Sequence, residues 1–500
     1  MANLHPSKAA HEFMEDVLAK KTGVRRNIWA RIAVARSVAL DDLPSPEARY
    51  DSEGTELARH TILGDYDSLF RAMFTLRYGR HVADDEFFPR LFKAHLERGV
   101  ELLKQDWQVS GNRPDEFYLR LAAHLPGVEG VGAPSVFHAG VSELVRIEVG
   151  ADEAKERLFW ELNRANNAHA CVVGTTGSGK TQFVKEALAQ ISERTKGGLP
   201  FMLFDYARGD VAGDPNFVKL TNANVIQLPS SPVPLVPLRP CGTDIEVSQQ
   251  AHHLAKIFRE IAPQIGVVQE QRLIAAVREC YLREGRPPTF SEIREELQET
   301  MDSLTNVLGK LTDLHLFPDV GGRSVELQDI LRQSWIIDLH KLQELRELVV
   351  FLTLDVLRYH FGLLQDQRVD DPSGAKELRF LIVIDEAHNF LPRDGAGVLE
   401  KCLRELRGKG VAVWLLTQNP RDLKQPDYNY GSEVNFHLCL KVLDAQPQTL
   451  SNLYGVPIDE ARLWSARLAT FEGEGLARNP ASPKGFSKLR VKQFHARYRR

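Results

Sequence analysis

The sequence has no apolar run approaching the ~20 residues that a membrane-spanning helix needs. A secretory signal is also missing, because the first residues, MANLHPSKAAHEFMEDVLAKK, are polar and contain no apolar core. Cysteine is scarce: the five residues are scattered and form no CxxC or Cys/His cluster, which indicates neither a disulfide framework nor a structural zinc. We therefore expect a cytoplasmic protein with reduced thiols.

Internal repeats and low-complexity tracts are absent as well, and neither sign of charge dominates, since the formal net charge is -4 over 500 residues. This length allows two or three domains with cores of their own. Basic residues are nevertheless concentrated in two stretches without any acidic residue, 20–36 and 484–500. Such stretches can bind phosphate backbones, or they can be ordinary solvated surface, and composition alone leaves both interpretations open.

The pattern of apolar residues divides the chain into a helical part and an α/β part. Residues 1–125 predict four main helices, and residues 126–165 predict a Gly-, Val- and Pro-rich linker with short strands. From 166 to 500, strands alternate with helices, which predicts an α/β fold with a mostly parallel central sheet. The insertion at about 245–315 reads as helical, and the chain ends in a basic tail. The predicted strands are 168–173, 200–205, 224–228, 335–339, 379–385, 411–417 and 435–442.

The strongest motif is GTTGSGKT, which follows an apolar strand and precedes a helix. Its glycines let backbone N–H groups wrap an anion, and the helix N-terminus adds positive potential. Lys180 can reach the β- and γ-phosphates, and Thr181 can ligate Mg²⁺. A chance match in a glycine-rich turn is the alternative, but the flanking strand and helix make it less frequent. The candidate nucleotide-binding residues are Gly174, Thr175, Thr176, Gly177, Ser178, Gly179, Lys180, Thr181 and Gln182.

A second motif, FLIVIDEAH, is a continuous apolar strand that ends in two carboxylates. Asp385 is placed to hold the Mg²⁺ shell through water, and Glu386 to polarise the water that attacks the γ-phosphate. Alone, the motif would be an ordinary buried strand followed by an acidic turn. The P-loop about two hundred residues upstream favours the catalytic interpretation.

Three further candidates follow from strand ends and from one basic helix. Gln418 ends the buried strand VAVWLLT and is placed to sense the γ-phosphate, although it could be a simple polar strand end. Arg404 or Arg407 could reach a neighbouring subunit's γ-phosphate as a trans-acting arginine, or could form surface pairs with glutamate. Asp205 could support the site or begin a turn.

Together, GTTGSGKT, IVIDEAHNF, LRELRGKG and WLLTQNP resemble the HerA branch of the HerA/FtsK superfamily of P-loop motors over roughly residues 140–500. The resemblance implies a RecA-like domain in a hexameric ring that pumps double-stranded DNA with ATP and Mg²⁺. It assigns the sensor role to Gln418 and the trans-acting role to Arg407, with Arg404 next in line. The small N-terminal β-barrel usual in that family is not evident here.

Residues 1–120 instead resemble DndE, the small helical protein of DNA phosphorothioate-modification systems, through KKTGVRRNIWARIAVARSVAL, EGTELARHTILGDYDSLF and FKAHLERGVELL. This resemblance implies DNA binding through Lys20, Lys21, Arg25 and Arg26.

We therefore expect an ATP-hydrolysing, ring-forming double-stranded DNA translocase or helicase. HerA motors commonly act with a nuclease or a sirtuin-like NAD-consuming effector in anti-phage defence. No nuclease constellation is evident in this chain, so such a partner would be another polypeptide. Two alternatives stay open: a nucleotide-gated hexameric scaffold that activates an effector without net translocation, and an accessory to phosphorothioate modification.

Overall fold

The computed structural model describes residues 3–40, 43–44, 50–110, 112–122, 140–164, 167–206, 208–239, 241, 243–284, 286–297, 302–319, 331–362, 364, 366–367, 374–391, 397–478 and 485–498. The chain divides into two compact units, Met1–Phe137 and His138–Arg500. Much of the predicted linker, residues 126–139, lies outside the described residues, as do Lys484, Arg499 and Arg500 of the basic C-terminus.

The first unit is built from helices around an aromatic core. Ser7 caps the first helix by accepting a hydrogen bond from Ala10 N, and the buried Glu97 carboxylate accepts from Ser7 N and Oγ, 2.7 Å each. The four helices that the sequence predicts are confirmed, with π-helical turns at Phe13–Ala19 and Phe87–Phe92. The α-helices are α1 Lys8–Glu12, α2 Lys20–Thr22, α3 Arg26–Val38, α4 Arg59–Ile62, α5 Asp67–Tyr78, α6 Asp84–Glu86, α7 Lys93–Val109 and α8 Pro114–Ala122, and the strands β1 Asn3–Leu4 and β2 Leu57–Ala58 pair antiparallel.

The second unit is organised on one sheet of 11 strands in the order β4-β3-β13-β12-β11-β5-β10-β9-β6-β8-β7. The seven strands from β11 to β7 run parallel and coincide with the seven predicted strands. The apolar runs of the six inner parallel strands are buried on both faces, as central parallel strands require, whereas the edge strand β7 is only partly buried. The strands are β3 Arg146–Ala151, β4 Arg157–Glu161, β5 Ala170–Val173, β6 Phe201–Asp205, β7 Asn224–Gln227, β8 Trp335–Asp338, β9 Phe380–Ile384, β10 Val411–Thr417, β11 Phe436–Cys439, β12 Glu474–Arg478 and β13 Phe486–Val491.

Helices cover both faces of this sheet, and the predicted helical insertion is confirmed as α11 to α14. Capping boxes begin three of these four helices, at Thr243, Thr289 and Asp302, which explains why the segment reads so clearly as helical. No helix among the described residues is both long and apolar enough to cross a membrane. The helices are α9 Lys180–Thr195, α10 Pro215–Thr221, α11 Asp244–Ile261, α12 Val267–Glu284, α13 Phe290–Glu296, α14 Ser303–Asp313, α15 Arg346–Gly362, α16 Val398–Glu405, α17 Tyr430–Glu433, α18 Pro447–Tyr454 and α19 Ile458–Leu468.

The basic C-terminal segment is not a tail over residues 485–498. It forms β13, which pairs antiparallel with β12 and with β3, and then a 3-10 turn at Phe494–Arg497. Its charges are matched within the unit, since Lys488 Nζ lies 3.0 Å from Glu474 and 3.3 Å from Glu153. The prediction of a tail is wrong here. The basic residues stand without acidic neighbours in the sequence, whereas in the fold Lys488 pairs with Glu153, which is far away in the sequence.

His169 lies directly before β5, at the amino end of this strand, and joins it to β10 and to helix α16. Its Nδ1 accepts a hydrogen bond from Val413 N at 2.8 Å, so the proton must be on Nε2, which donates to Leu403 O at 2.9 Å. Burial lowers the pKa of His169 from 6.5 to about 4. The folded protein therefore requires the neutral ring.

Acid is expected to destabilise this unit in a way that depends on His169. Because the folded-state pKa lies below the unfolded value of 6.5, the stabilisation is present above pH 6.5 and is lost as the pH falls towards 4. Between pH 7.5 and pH 5, we expect the free energy of unfolding of His169→Gln to fall by about 2 kcal/mol less than that of the wild type. Urea unfolding followed by tryptophan fluorescence measures it, with the exposed His252→Gln as control; equal acid loss in His169→Gln and wild type would refute the assignment.

Candidate nucleotide-binding site

The P-loop leaves the buried strand β5 at the carboxyl edge of the sheet. Gly174 N donates to Thr417 O at 3.0 Å and Thr175 N donates to Lys441 O at 2.8 Å, so the loop is anchored on the last residue of β10 and on the chain that follows β11. Gly177 and Gly179 have φ of 79° and 100°, which glycine adopts without steric cost. Helix α9 begins directly at Lys180, which places its N-terminal N–H groups at the loop.

The second motif meets the P-loop at the same edge, because parallel strands bring their carboxyl ends together. Asp385 and Glu386 follow β9, two strands from β5, and line one cavity of about 490 Å³ with Lys180 and Thr181. Asp385 is only 8% exposed. The structure thus brings together four of the predicted site residues that are separated by about 200 positions in the sequence.

The two carboxyl groups differ in their electrostatics. Burial, together with the nearby charges of Glu386 and Asp205, raises the pKa of Asp385 to about 7. Burial also pushes the pKa of Glu386 upward, but contacts with His388, Lys180 and Gln418 outweigh it and hold that pKa below its ordinary value. Burial lowers the pKa of Lys180, opposed by both carboxylates. Glu386 is therefore the more readily ionised of the pair.

Gln418 is placed beside Glu386, as the sequence suggests. Its Nε2 donates to Glu386 Oε2 at 3.1 Å, and His388 Nδ1 lies 3.2 Å from the same oxygen. Glu386 has a left-handed backbone with φ 48°, uncommon for a residue with a side chain. The side chain that follows β10 thus orients the carboxylate that follows β9.

Arg404 and Arg407 are not brought to this cavity. Arg404 lies in the last turn of α16 and is 61% exposed, with Nη1 2.9 Å from Glu400 Oε1. Arg407 lies on the next 3-10 turn, is 54% exposed, and has Nη1 3.8 Å from Glu433 Oε2. Both border a separate surface depression with Tyr428. Neither arginine is placed to serve its own chain's P-loop.

Besides Asp205, which was a candidate from the sequence, the cavity is lined by several residues that the sequence did not single out. Lys185, one turn into α9, is almost fully buried and pairs with Asp214, the N-cap of α10. Asp205 accepts hydrogen bonds from Val211 N and Ala212 N, 2.9 Å each, and so folds the loop after β6 over the site. Lys185 could have been found from the sequence because it lies four residues after Thr181 on the same helix. Asp210 and Asp214 lie outside any repeating pattern of residues and could not have been found in this way. Arg208 and Asp210 also line the cavity.

Of the four basic candidates of the first unit, Lys20 and Lys21 lie in α2, and Arg25 and Arg26 lie at the start of α3. Lys20 Nζ lies 2.8 Å from Asp16 Oδ1, and Arg26 Nε lies 3.6 Å from Glu15 Oε2. Lys21 and Arg25 are exposed. Two of the four thus already have acidic partners, and Lys21 and Arg25 present their charge to solvent.

The donor groups of the P-loop fit a magnesium–nucleotide complex. The buried Ser178 hydroxyl has no hydrogen-bond partner among the described residues, a costly state that a phosphate oxygen would relieve. Lys180 Nζ donates to the loop's own Gly174 O at 2.6 Å, so its charge is held inside the cradle. Thr181 and Asp385 supply the oxygen ligands that Mg²⁺ prefers, directly or through water.

Comparison with known proteins gives two family matches. Residues 4–110 match the family of the DNA sulphur modification protein DndE, and residues 147–354 match the central domain of the helicase HerA. The DNA import protein CedB of Sulfolobus acidocaldarius is 22% identical over 278 residues, which are 54% of this chain and 43% of CedB. The chain therefore spans less than half the length of that curated relative.

Two solved structures are similar to separate parts of the chain. VirB4 of Thermoanaerobacter pseudethanolicus is 16% identical, with 71% of this chain and 98% of VirB4 covered and a TM-score of 0.52. DndE from Escherichia coli B7A is 24% identical, with 20% of this chain and 95% of that protein covered and a TM-score of 0.18. The likeness to VirB4 shows the fold of the second unit. The two family matches identify residues 4–110 as a DndE-like domain and residues 147–354, which include the P-loop, as a domain of the type found at the centre of the helicase HerA.

Proposed function

We propose that the chain hydrolyses ATP and uses the energy to move double-stranded DNA through a ring of six copies. The observation that carries the proposal is the single cavity lined by Lys180, Thr181, Asp385 and Glu386, with Gln418 bonded to Glu386. A site for binding alone would not need an ionised carboxylate held by an amide next to the P-loop lysine.

Within this site each residue has a distinct role. Lys180 and the loop N–H groups from Gly174 to Gly179 bind the phosphates, and Thr181 and Asp385 hold Mg²⁺, which neutralises the phosphate charge when bound. Glu386 orients the attacking water and accepts its proton, and its lowered pKa keeps it ionised for that role. Gln418 holds the Glu386 carboxylate in place and senses the γ-phosphate.

DNA as the second substrate is supported by the first unit and by the named relatives. The DndE family is described as a DNA sulphur modification protein, and CedB as a DNA import protein. The exposed Lys21 and Arg25, which form no ion pair with another described residue, provide cations that can contact phosphates. We assign Lys20 and Arg26 to the same surface, where DNA would compete with Asp16 and Glu15.

A ring is supported by the position of the arginines. Arg407 and Arg404 are exposed and border a depression other than the P-loop cavity, so a catalytic arginine from this segment must act on another copy. The nuclease or NAD-consuming effector of the defence function would be a separate protein.

The proposal predicts that double-stranded DNA raises ATP turnover in the full chain and that Lys180→Ala abolishes it. Removing the charge that faces the phosphates is expected to weaken ATP binding about 10²-fold or more. ATP binding and phosphate release are measured at fixed salt with and without duplex, because phosphate contacts depend on salt. The exposed Lys196→Ala serves as control. Normal turnover in Lys180→Ala would overturn the site.

A second function is favoured by the family match over residues 4–110, namely action on DNA that carries phosphorothioate linkages. The first unit would then recognise or help to make such linkages, while the ATPase unit drives movement. Binding of the full chain to matched duplexes with and without phosphorothioates tests the recognition. Equal affinity at the same salt concentration would remove this candidate.

A further inference from the structure

Residues 492–497 pack along α9, the helix that follows the P-loop. Lys492 N donates to Val149 O at 2.9 Å, and Lys492 Nζ lies 3.0 Å from Glu148 Oε2. Arg497 pairs with Glu186 and, at 2.7 Å, with Glu193, one and three turns into α9. These ion pairs fix residues 492–497, which we call the C-terminal clamp, against α9.

Two polar side chains of this clamp face the start of α9. A Cβ atom on Gly179 would lie 2.9 Å from Gln493 Nε2, so the Gln493 amide sits directly on the last glycine of the P-loop. His495 reaches Gln182 Oε1 through its backbone N at 3.0 Å and its ring Nδ1 at 3.1 Å. The clamp therefore lies beside the part of the P-loop that leads into the helix.

The buried ring of Phe494 connects the same clamp to the cavity. The ring centroid lies 5.5 Å from that of Phe217 and 5.2 Å from Lys185 Nζ. Because Lys185 lines the cavity, the Phe494 ring packs against a residue of the cavity wall. The packing of Phe494 against Phe217 and Lys185 fixes the position of the neighbouring Gln493 and His495 beside the P-loop.

The carboxylates of the site indicate which end of a nucleotide would lie there. Asp385 and Glu386 mark the γ-phosphate end, and the P-loop with Lys180 cradles the β- and γ-phosphates. The α-phosphate and the nucleoside of the bound nucleotide must then extend along the first turn of α9, where Gly179 and Gln182 line the cavity. This is the side on which the clamp lies.

We propose that Gln493 contacts the base of the bound nucleotide, and that the C-terminal clamp forms the nucleoside wall of the site. A side-chain amide offers a donor and an acceptor together, which matches N6–H and N7 of adenine but not the two acceptors O6 and N7 of guanine. Gln493 would thus favour ATP over GTP, and His495 would position it through Gln182. The inference rests on the proposed ATPase function, because it needs a nucleotide on the P-loop.

The test compares three ligands that share phosphates but differ in the nucleoside. Affinities of the full chain for ATP, GTP and inorganic tripolyphosphate are measured by calorimetry for wild type, Gln493→Ala and the exposed control Gln448→Ala. We expect Gln493→Ala to weaken ATP about tenfold, the loss of one or two hydrogen bonds, and to lose its preference over GTP. Its affinity for tripolyphosphate should stay within about twofold of wild type, because the phosphate cradle is untouched.

A merely structural clamp gives a different result. If Gln493→Ala weakens ATP and tripolyphosphate equally, or leaves ATP unchanged, the inference is wrong while the proposed function stands. If Lys180→Ala binds ATP as tightly as wild type, the proposed function itself fails. Photolabelling of wild type with 8-azido-ATP gives an independent readout without any substitution: label on the tryptic peptide 493–497 supports the inference, and label confined to other peptides overturns it.

Discussion

Replacing Glu386 by glutamine is expected to lower the rate of ATP hydrolysis by about 10²–10⁴-fold while ATP binding is retained. Glutamine keeps the shape of the side chain but cannot accept the proton of the attacking water. Glu386 is available for that task because its lowered pKa keeps it ionised, whereas burial raises the pKa of the neighbouring Asp385 to about 7. Single-turnover phosphate release separates the chemical step from ATP binding, which a fluorescent ATP analogue reports.

The exposed Glu472→Gln is the matched control, since it removes one carboxylate of the same unit away from the cavity. It should hydrolyse ATP at the wild-type rate. Full activity in Glu386→Gln would show that the acidic pair after β9 is not the catalytic pair, and the assignment of Gln418 as its partner would be lost with it.

The second large effect is expected at Arg407, where alanine should reduce turnover by about 10³–10⁵-fold and leave ATP binding unchanged. The arginine lies outside its own chain's cavity, so in the proposed mechanism it would stabilise the transition state in a neighbour. Its contact with Glu433 is loose, at 3.8 Å, whereas Arg404 is held by Glu400 at 2.9 Å within the same helix. We therefore expect Arg404→Ala to have the smaller effect.

Mixing two inactive variants tests the action between subunits directly. An interface that joins the intact Glu386 of one copy to the intact Arg407 of the next can form only in mixed rings, so Arg407→Ala and Glu386→Gln should regain part of the activity together. Wild-type chain that hydrolyses ATP at its normal rate as a monomer, or an Arg407→Ala protein with full turnover, would contradict the ring.

The central sheet and the predicted centre of the site followed from local patterns. Six of the seven parallel strands are short, largely apolar runs that are fully buried, as central parallel strands require, and the edge strand β7 is partly exposed. The P-loop and the acidic pair could be assigned to one site from the sequence alone, because the carboxyl ends of parallel strands lie at the same edge of the sheet. Gln418 was found in the same way, as the polar residue after β10.

Contacts between residues far apart in the sequence could not be found in this way. Strand β13 carries alternating basic residues whose partners lie elsewhere, as with Lys488 and Glu153, so it reads as a charged tail. The loop after β6 is shaped by the buried Asp205 carboxylate, which binds two backbone N–H groups and leaves no periodic trace. Gln493 carries no motif and gains its meaning only from its place on Gly179.

The measurement that tests the central claim most directly is displacement of a triplex-forming strand from duplex DNA by the full chain. A protein that moves along DNA strips the third strand at a rate that follows ATP turnover, and Glu386→Gln should bind the same DNA without displacing it. DNA-stimulated ATP hydrolysis without any displacement would contradict translocation and leave a nucleotide-gated scaffold as the account of this chain.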